Sequence, residues 1–398
     1  MNMFMIRKKR VLSKNARIIF LLLIGLCAGD GRVLWSTPSQ GGRGLVYVHS
    51  AMTLPKGFLE SYFGTRYFGK VANFVTTGVA YTLWDVQIPL SFNYGLSRHL
   101  EIAFSPILYQ DINRSGGNFW QGKANLPDDM FFSVKIGSFS GLESPWVFGG
   151  MVSVRIPTAQ NHNIIYEPYS AGRVSAGVLA IGSYFFNPKF PDAGWSLHGN
   201  IGYWNHNDVG KKLSSVPEAP TPQTMSSEIL AGAGVLYPAG SFDFSAEITA
   251  RHFLSRPPVP AYSREYVSYF TLGVYYKAYP WLTLEMGFDK SLLVGEDLTD
   301  YRYVPPKVPN FPNYPSWRGV LGIKIGILPR SLWVSEADQL KQKVKDRQAV
   351  LEQMLKSETD VKSAEDELAR IQAERKKIEE ELERLRRLLD TERQKKKE

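Results

Sequence analysis

Between Gly57 and Leu328 the chain alternates apolar and polar residues, and the alternation recurs about a dozen times. The clearest stretch is Phe242-Asp243-Phe244-Ser245-Ala246-Glu247-Ile248-Thr249-Ala250-Arg251. Successive side chains on a strand point to opposite faces. One face therefore carries Asp243, Glu247 and Arg251, and the other carries Phe242, Phe244, Ala246, Ile248 and Ala250. A soluble sandwich would bury the apolar face and wet the charges. A membrane barrel would turn the apolar face to lipid and the charges to its lumen. The local pattern fits both, so the rest of the chain must separate them.

The N-terminus favours the second. Arg7, Lys8, Lys9, Arg10, Lys14 and Arg17 precede any acidic residue, and an apolar run, Ile18–Leu26, follows. Small residues Cys27, Ala28 and Gly29 come next. This is the layout of a secretory signal peptide, with cleavage expected after Gly29. The run is shorter than the roughly 20 residues a spanning helix needs. Removing the six basic residues takes the formal charge from +9 to +3. The basic excess is then mostly targeting, and nucleic acid is not an expected partner. Cys27, the chain's one cysteine, would leave with the signal. No disulfide framework, thiolate metal site or other cofactor is expected.

Twelve strands are expected: Gly57–Tyr67, Trp84–Tyr94, Leu100–Tyr109, Asp129–Ser138, Trp146–Ile156, Gly172–Phe186, Trp195–Asn205, Ser227–Tyr237, Phe242–Leu254, Tyr266–Lys277, Leu282–Leu293 and Ser316–Leu328. Most are near ten residues, the length of a tilted membrane strand. Short links (95–99, 141–145, 238–240, 279–281) alternate with long ones (111–128, 157–171, 206–226, 255–265, 294–315), as in outer-membrane barrels. An even count puts both barrel ends on the periplasmic side. Trp and Tyr gather at strand ends, among them Trp146, Trp195, Tyr237, Tyr279, Trp281 and Trp317, where one end of the ring is apolar and the other wet.

From Ser335 to Glu398 there is no Gly, Pro or aromatic residue. Val361, Leu368, Leu382 and Leu389 recur at one heptad position, interrupted by Arg375. Ala364, Ile371, Ile378 and Leu385 fill the position three residues later. This is an a/d seam of a coiled coil. Leu340, Val344, Leu351 and Met354 form a second seam in another register, a change that reads as a stammer. About sixty helical residues would reach roughly 90 Å.

Turn-strand blocks such as Phe92-Asn93-Tyr94-Gly95-Leu96-Ser97-Arg98-His99-Leu100-Glu101-Ile102 resemble the bacterial outer-membrane β-barrel superfamily, in the style of transporter-like and outer-membrane-protein-A-like barrels. The last strand, Gly322-Ile323-Lys324-Ile325-Gly326-Ile327, resembles the assembly signal of such barrels, although it lacks a terminal aromatic and does not end the chain. The resemblance implies a fold rather than a particular solute.

The expected fold is all-β: an antiparallel, up-and-down transmembrane barrel of about 12 strands, then a long C-terminal helix. The expected layout is signal 1–29, periplasmic lead-in 30–56, barrel 57–328 and periplasmic coiled-coil helix 329–398. Lumen-lining candidates are Glu101, Lys135, Arg155, Asp243, Glu247, Arg251, Lys277, Glu285, Asp289, Arg318 and Lys324. Their mixed signs either fill a narrow interior or line a path without a clear ion preference. Segments 161–169 and 198–208 are rich in His, Asn and Tyr; loop hydrogen bonding is the plain reading and ligand contact the sharper one. Ser196, His198 and Asn200 also raise a lipid hydrolase, though no catalytic block matches and no catalytic residue is assigned. No enzyme activity is therefore expected.

The leading expectation is a narrow passive pore for small solutes in the bacterial outer membrane, touching outer-membrane lipid. The alternative is a structural envelope protein whose barrel anchors a periplasmic coiled-coil tether. The helix would form a homo-oligomer, with a cell-wall polymer or a periplasmic protein as the further candidate partner.

Overall fold

The computed structural model describes residues 41–73, 80–113, 123–141, 144–304, 313–333 and 368–384. The expected signal, residues 30–40, Val361, Ala364, Leu385, Leu389 and the upstream seam lie outside these. The chain divides into two units, Met1–Trp333 and Val334–Glu398.

In the first unit, thirteen strands form one antiparallel sheet: β1 Leu59–Asn73, β2 Ala80–Ser97, β3 Leu100–Asn113, β4 Lys123–Asn125, β5 Met130–Phe139, β6 Trp146–Ile156, β7 Ser175–Phe185, β8 Ser196–Asn205, β9 Ser227–Ala239, β10 Phe242–Ser255, β11 Val267–Tyr279, β12 Leu282–Val294 and β13 Trp317–Leu328. Each strand of the wall pairs with its sequence neighbour, and β1 also pairs with β13, from Leu59↔Leu328 to Tyr67↔Gly319. That seam, with the β2–β3 pairing, closes the wall. The twelve expected strands are these, less the three-residue β4, which adds a rung beside Gln110–Ile112 inside a link expected to be irregular.

The burial pattern settles the orientation of the faces. In β10, Asp243, Glu247 and Ser245 are buried, whereas Phe244 and Ile248 are 44% and 50% exposed. Val134 and Ile136 flank buried Lys135 in the same way, and Ile323 flanks buried Lys324. A soluble sheet would show the reverse. The apolar exterior, with charges inside, is the arrangement of a barrel solvated by lipid. Among the described residues no helix is long and apolar enough to cross a membrane; the strands make the crossing.

β1 and β2 run past their expected ends at Tyr67 and Trp84. The reason is tertiary. Phe68 packs in a buried cluster with Ile112, Ile164, Ile165, Tyr166 and Tyr262, so the extended strands wall in a layer of loops. At the short-turn end, rings meet around the outside: Trp195 tilts against Tyr237 at 4.8 Å, and Tyr279 stacks on Trp281 at 5.4 Å and Trp281 on Trp333 at 4.2 Å. Trp333 belongs to a 3-10 turn, Arg330–Trp333, that follows β13.

In the second unit the described residues 368–384 form a helix; the rest of the expected coiled coil lies outside the described residues. Leu368, Ile371, Ile378 and Leu382 of the seam are 52–60% exposed. Arg375 meets Glu379 at 3.5 Å on the solvated surface, a pair worth about 0.3–0.5 kcal/mol.

Ile248 sits midway along β10 on the outer face. Ile248→Lys should cost roughly 2–4 kcal/mol of folding stability in a bilayer. Urea titration of the heat-modifiable gel shift in lipid vesicles measures it; an unchanged midpoint would show that this face is not in lipid.

Candidate functional site

Residues 41–54 lie inside the barrel. They fall within the stretch expected as a lead-in at 30–56. They form a hairpin: Leu45 N donates to Val48 O (2.7 Å), Ser50 N donates to Arg43 O (3.0 Å), and Gly44 faces His49. The hairpin adds no strand to the wall, so its amides find side-chain acceptors instead. At the base, Glu101 accepts Arg43 N and Leu54 N at 2.9 and 2.7 Å. At the tip, Glu247 accepts Val46 N, Tyr47 N and Val48 N at 2.8, 2.9 and 2.8 Å. Between them Asn200 exchanges two bonds with His49, Ser183 accepts Ala51 N, and Ser138 accepts Thr53 N. Tyr47 Oη donates to Asp289 at 2.5 Å. Gly41 and Gly42 have φ of +80° and +87°, a region that disfavours side chains, and a Cβ on Gly41 would lie 2.4 Å from that of Ala103.

The lumen-lining candidates all point inward, and each has a specific partner. Lys135 Nζ lies 3.9 Å from Glu101 and donates to Arg43 O at 2.9 Å. Arg155 pairs with Asp129 at 2.5 Å, Lys277 with Asp243 at 2.8 Å, Lys324 with Glu285 at 2.5 Å, and Arg318 with Asp289 at 3.0 Å. Arg251 forks onto Glu228. Charges withdrawn from water need such partners. The sequence reading missed Asp129 and Glu228, which stand at strand ends where alternation fades. It also missed Tyr47 and the wall residues Arg66 and Asp85.

At the opposite end the long links fold over the lumen and bond to one another. Asn163 Nδ2 donates to Leu213 O and Pro260 O, and its Oδ1 accepts Tyr262 N. Tyr166 N donates to Asn313 O, and Tyr314 Oη to Ser263 O. Asn313 donates to Glu265 at 2.9 Å. Burial pushes the Glu265 carboxyl up to about 6 and the Asp128 carboxyl to about 6. Burial, with Asp85 and Asp128 nearby, also drives Glu167 well above the carboxylate range. Burial lowers His162, opposed by Asp129 at 4.0 Å. The His- and Asn-rich segment 161–169 is thus built into this loop layer.

Between the hairpin tip and the loop layer lies a cavity of about 230 Å³. Tyr47, Val48 and His49 line it from the hairpin; Tyr166, Glu167, Pro168 and Tyr314 line it from the loops. Ile107, Phe131 and Trp204 form an apolar patch on its wall, backed by Leu230.

Ser196, His198, Asn200 and His206 share the inward face, as the alternation implies. His198 sits between Ser183 Oγ (2.8 Å, at Nδ1) and Ser196 Oγ (3.0 Å, at Nε2). Ser183 also accepts the Ala51 amide, so this Ser–His pair is used to hold the hairpin and faces away from lipid. His206 meets Glu228 at 3.3 Å.

A closed antiparallel wall, apolar outside and charged inside, decides the fold. The chain is a twelve-stranded transmembrane β-barrel. Solved structures similar to it include a NanC porin (11% identity, 67% of this chain and 98% of that one, TM-score 0.42). The translocator domain of the autotransporter NalP from Neisseria meningitidis is another (10% identity, 68% and 89%, TM-score 0.38). The P. putida toluene transporter TodX is a third (10% identity, 69% and 91%, TM-score 0.35). No family model matches the chain, and no curated protein matches it.

Glu247→Gln leaves one acceptor oxygen for three N–H groups and turns an amide donor against at least one of them. Charge-assisted bonds of this kind contribute about 1.5–3 kcal/mol. Hydrogen exchange at residues 46–48 should therefore speed up by about tenfold to hundredfold, read by mass spectrometry of the peptide spanning 41–54. Unchanged protection would show that Glu247 does not anchor the tip.

Proposed function

We propose that this chain is a bacterial outer-membrane barrel that passes small solutes through the cavity, with the 41–54 hairpin as a displaceable plug. The observation that carries this reading is the cavity itself, enclosed by a hairpin that contributes no strand to the wall. A hairpin held by side-chain acceptors can leave without breaking one strand pair, so the wall stays closed while the lumen opens. Twelve strands enclose more than the eight-stranded case that side chains alone can fill. Paired charges of both signs around the path give no overall ion preference.

Tip release tests this. Glu247→Ala combined with Tyr47→Phe removes the tip anchors without stripping a wall cation of its partner. In planar bilayers the wild-type chain should show brief, infrequent conductance steps, and the double variant should dwell open about tenfold longer, the effect of roughly 1.4 kcal/mol. Flat traces from both, with heat-modifiable migration intact, would end the passage reading.

The second reading is favoured by the exposed seam residues Leu368, Ile371, Ile378 and Leu382. An isolated helix of this length is marginal in water, and burying an apolar stripe against copies of itself stabilises it. The helix then serves as a periplasmic oligomerisation or tethering element. Sedimentation in detergent should give an oligomer for the full chain and a monomer for a chain ending at Trp333. Equal sedimentation states would remove the helix from that role.

A further inference from the structure

Around the cavity, one wall arginine makes no ion pair among the described residues and one wall carboxylate keeps an oxygen without a hydrogen-bond donor. Four arginines line the cavity: Arg66, Arg155, Arg251 and Arg318. Arg155, Arg251 and Arg318 each meet a wall carboxylate. Arg66 meets none among the described residues. Its NH1 donates to Gln87 Oε1 at 3.2 Å, and its guanidinium lies 5.0 Å from the centre of the Tyr47 ring. Its Nε is shut away from solvent and has no acceptor. Asp85, 4% exposed, is the counterpart: its buried Oδ1 has no donor.

The sheet register puts these two groups side by side without joining them. Arg66 lies directly across from Gln87, and Asp85 is two residues along the same face of β2. Diagonal neighbours at this spacing are within reach of long side chains. Gln87 takes the Arg66 NH1 and donates to Glu167 at 2.8 Å, so Arg318 and Arg66 attract Asp85 through space without a hydrogen bond to it among the described residues. Leaving an arginine N–H and a carboxylate oxygen without hydrogen-bond partners in a largely desolvated space is unfavourable. A lone anion would satisfy Arg66 and leave Asp85; a lone cation would do the reverse. One molecule bearing both charges a few bonds apart satisfies the two at once. The apolar patch of Ile107, Phe131 and Trp204 offers a surface for the rest of that molecule, and about 230 Å³ is room for several waters' worth of ligand at about 30 Å³ each.

We propose that the cavity binds a small zwitterion, an α-amino acid with an apolar or aromatic side chain, its carboxylate on Arg66 and its ammonium on Asp85. The inference rests on the passage reading in that the cavity is the solute's station there, but binding is measurable without conduction.

Calorimetry of the full chain in detergent, with intact heat-modifiable migration, uses three probes: L-phenylalanine, 3-phenylpropionate and 2-phenylethylamine. Phenylalanine should bind at least about tenfold more tightly than either half-ligand, a difference of about 1.4 kcal/mol. Arg66→Leu should erase its advantage over phenylethylamine, and Asp85→Asn its advantage over phenylpropionate. Equal binding of phenylpropionate and phenylalanine would make this an anion site and overturn the proposal. So would equal binding of phenylethylamine, no binding of any probe, or phenylalanine binding that neither substitution weakens. Phenylalanine binding in a barrel that never conducts would leave this site standing and remove the passage reading; conduction without binding would do the opposite.

Discussion

A backbone amide in hydrocarbon has no water to bond, and everything else in this barrel follows from that. A flat sheet would leave β1 and β13 with open edges in lipid. Pairing Leu59–Tyr67 with Gly319–Leu328 removes both edges at once. Once the wall is a cylinder, the two faces of each strand belong to two solvents. The outer one is lipid and takes Phe244, Ile248 and Ile323. The inner one is whatever the protein itself supplies, and it takes Asp243, Glu247 and Lys324.

That interior is too wide for its own side chains to fill and too polar to stay dry unpaired. The chain meets the first problem with the 41–54 hairpin and the second with ion pairs between strands. The two solutions share parts. Glu101 holds the hairpin base and faces Lys135; Asp289 holds Tyr47 and Arg318. A wall carboxylate with two oxygens can serve a strand neighbour and the hairpin together, so plug and wall stabilise each other without a common ladder.

Alternation, strand count, link lengths and the inward set from Glu101 to Lys324 were legible in the sequence because period 2 is a local property. The hairpin was not. Gly41-Gly42-Arg43-Gly44 shows no strand alternation, and the hairpin's acceptors Asn93, Glu101 and Glu247 lie 51 to 201 residues away. The upper halves of β1 and β2 were missed for a similar reason, since Phe68 is ordered by Tyr166 in a loop rather than by its own strand. The signs of the lumen charges could be read in advance, but which cation meets which anion depends on register. The mismatch at Arg66 and Asp85 was therefore invisible until the strands were aligned. At the C-terminus composition and heptads pointed to a helix over 329–398, and the described residues 368–384 are helical.

Both arms of the hairpin reach Glu101, near the short-turn mouth, while its tip reaches Glu247 and Asp289 deeper in the lumen. This geometry has a mechanical meaning. A strand embedded between two others resists tension along its axis in shear, with all its bonds loaded together. A hairpin whose two arms leave by one mouth loads its bonds in sequence when its N-terminal arm is drawn outward. Glu101 gives way first, then Asn200, then the Glu247 tip. A modest pull from the short-turn side would therefore do the work of unplugging stepwise, and the same steps in reverse would reseat the hairpin with the barrel wall untouched.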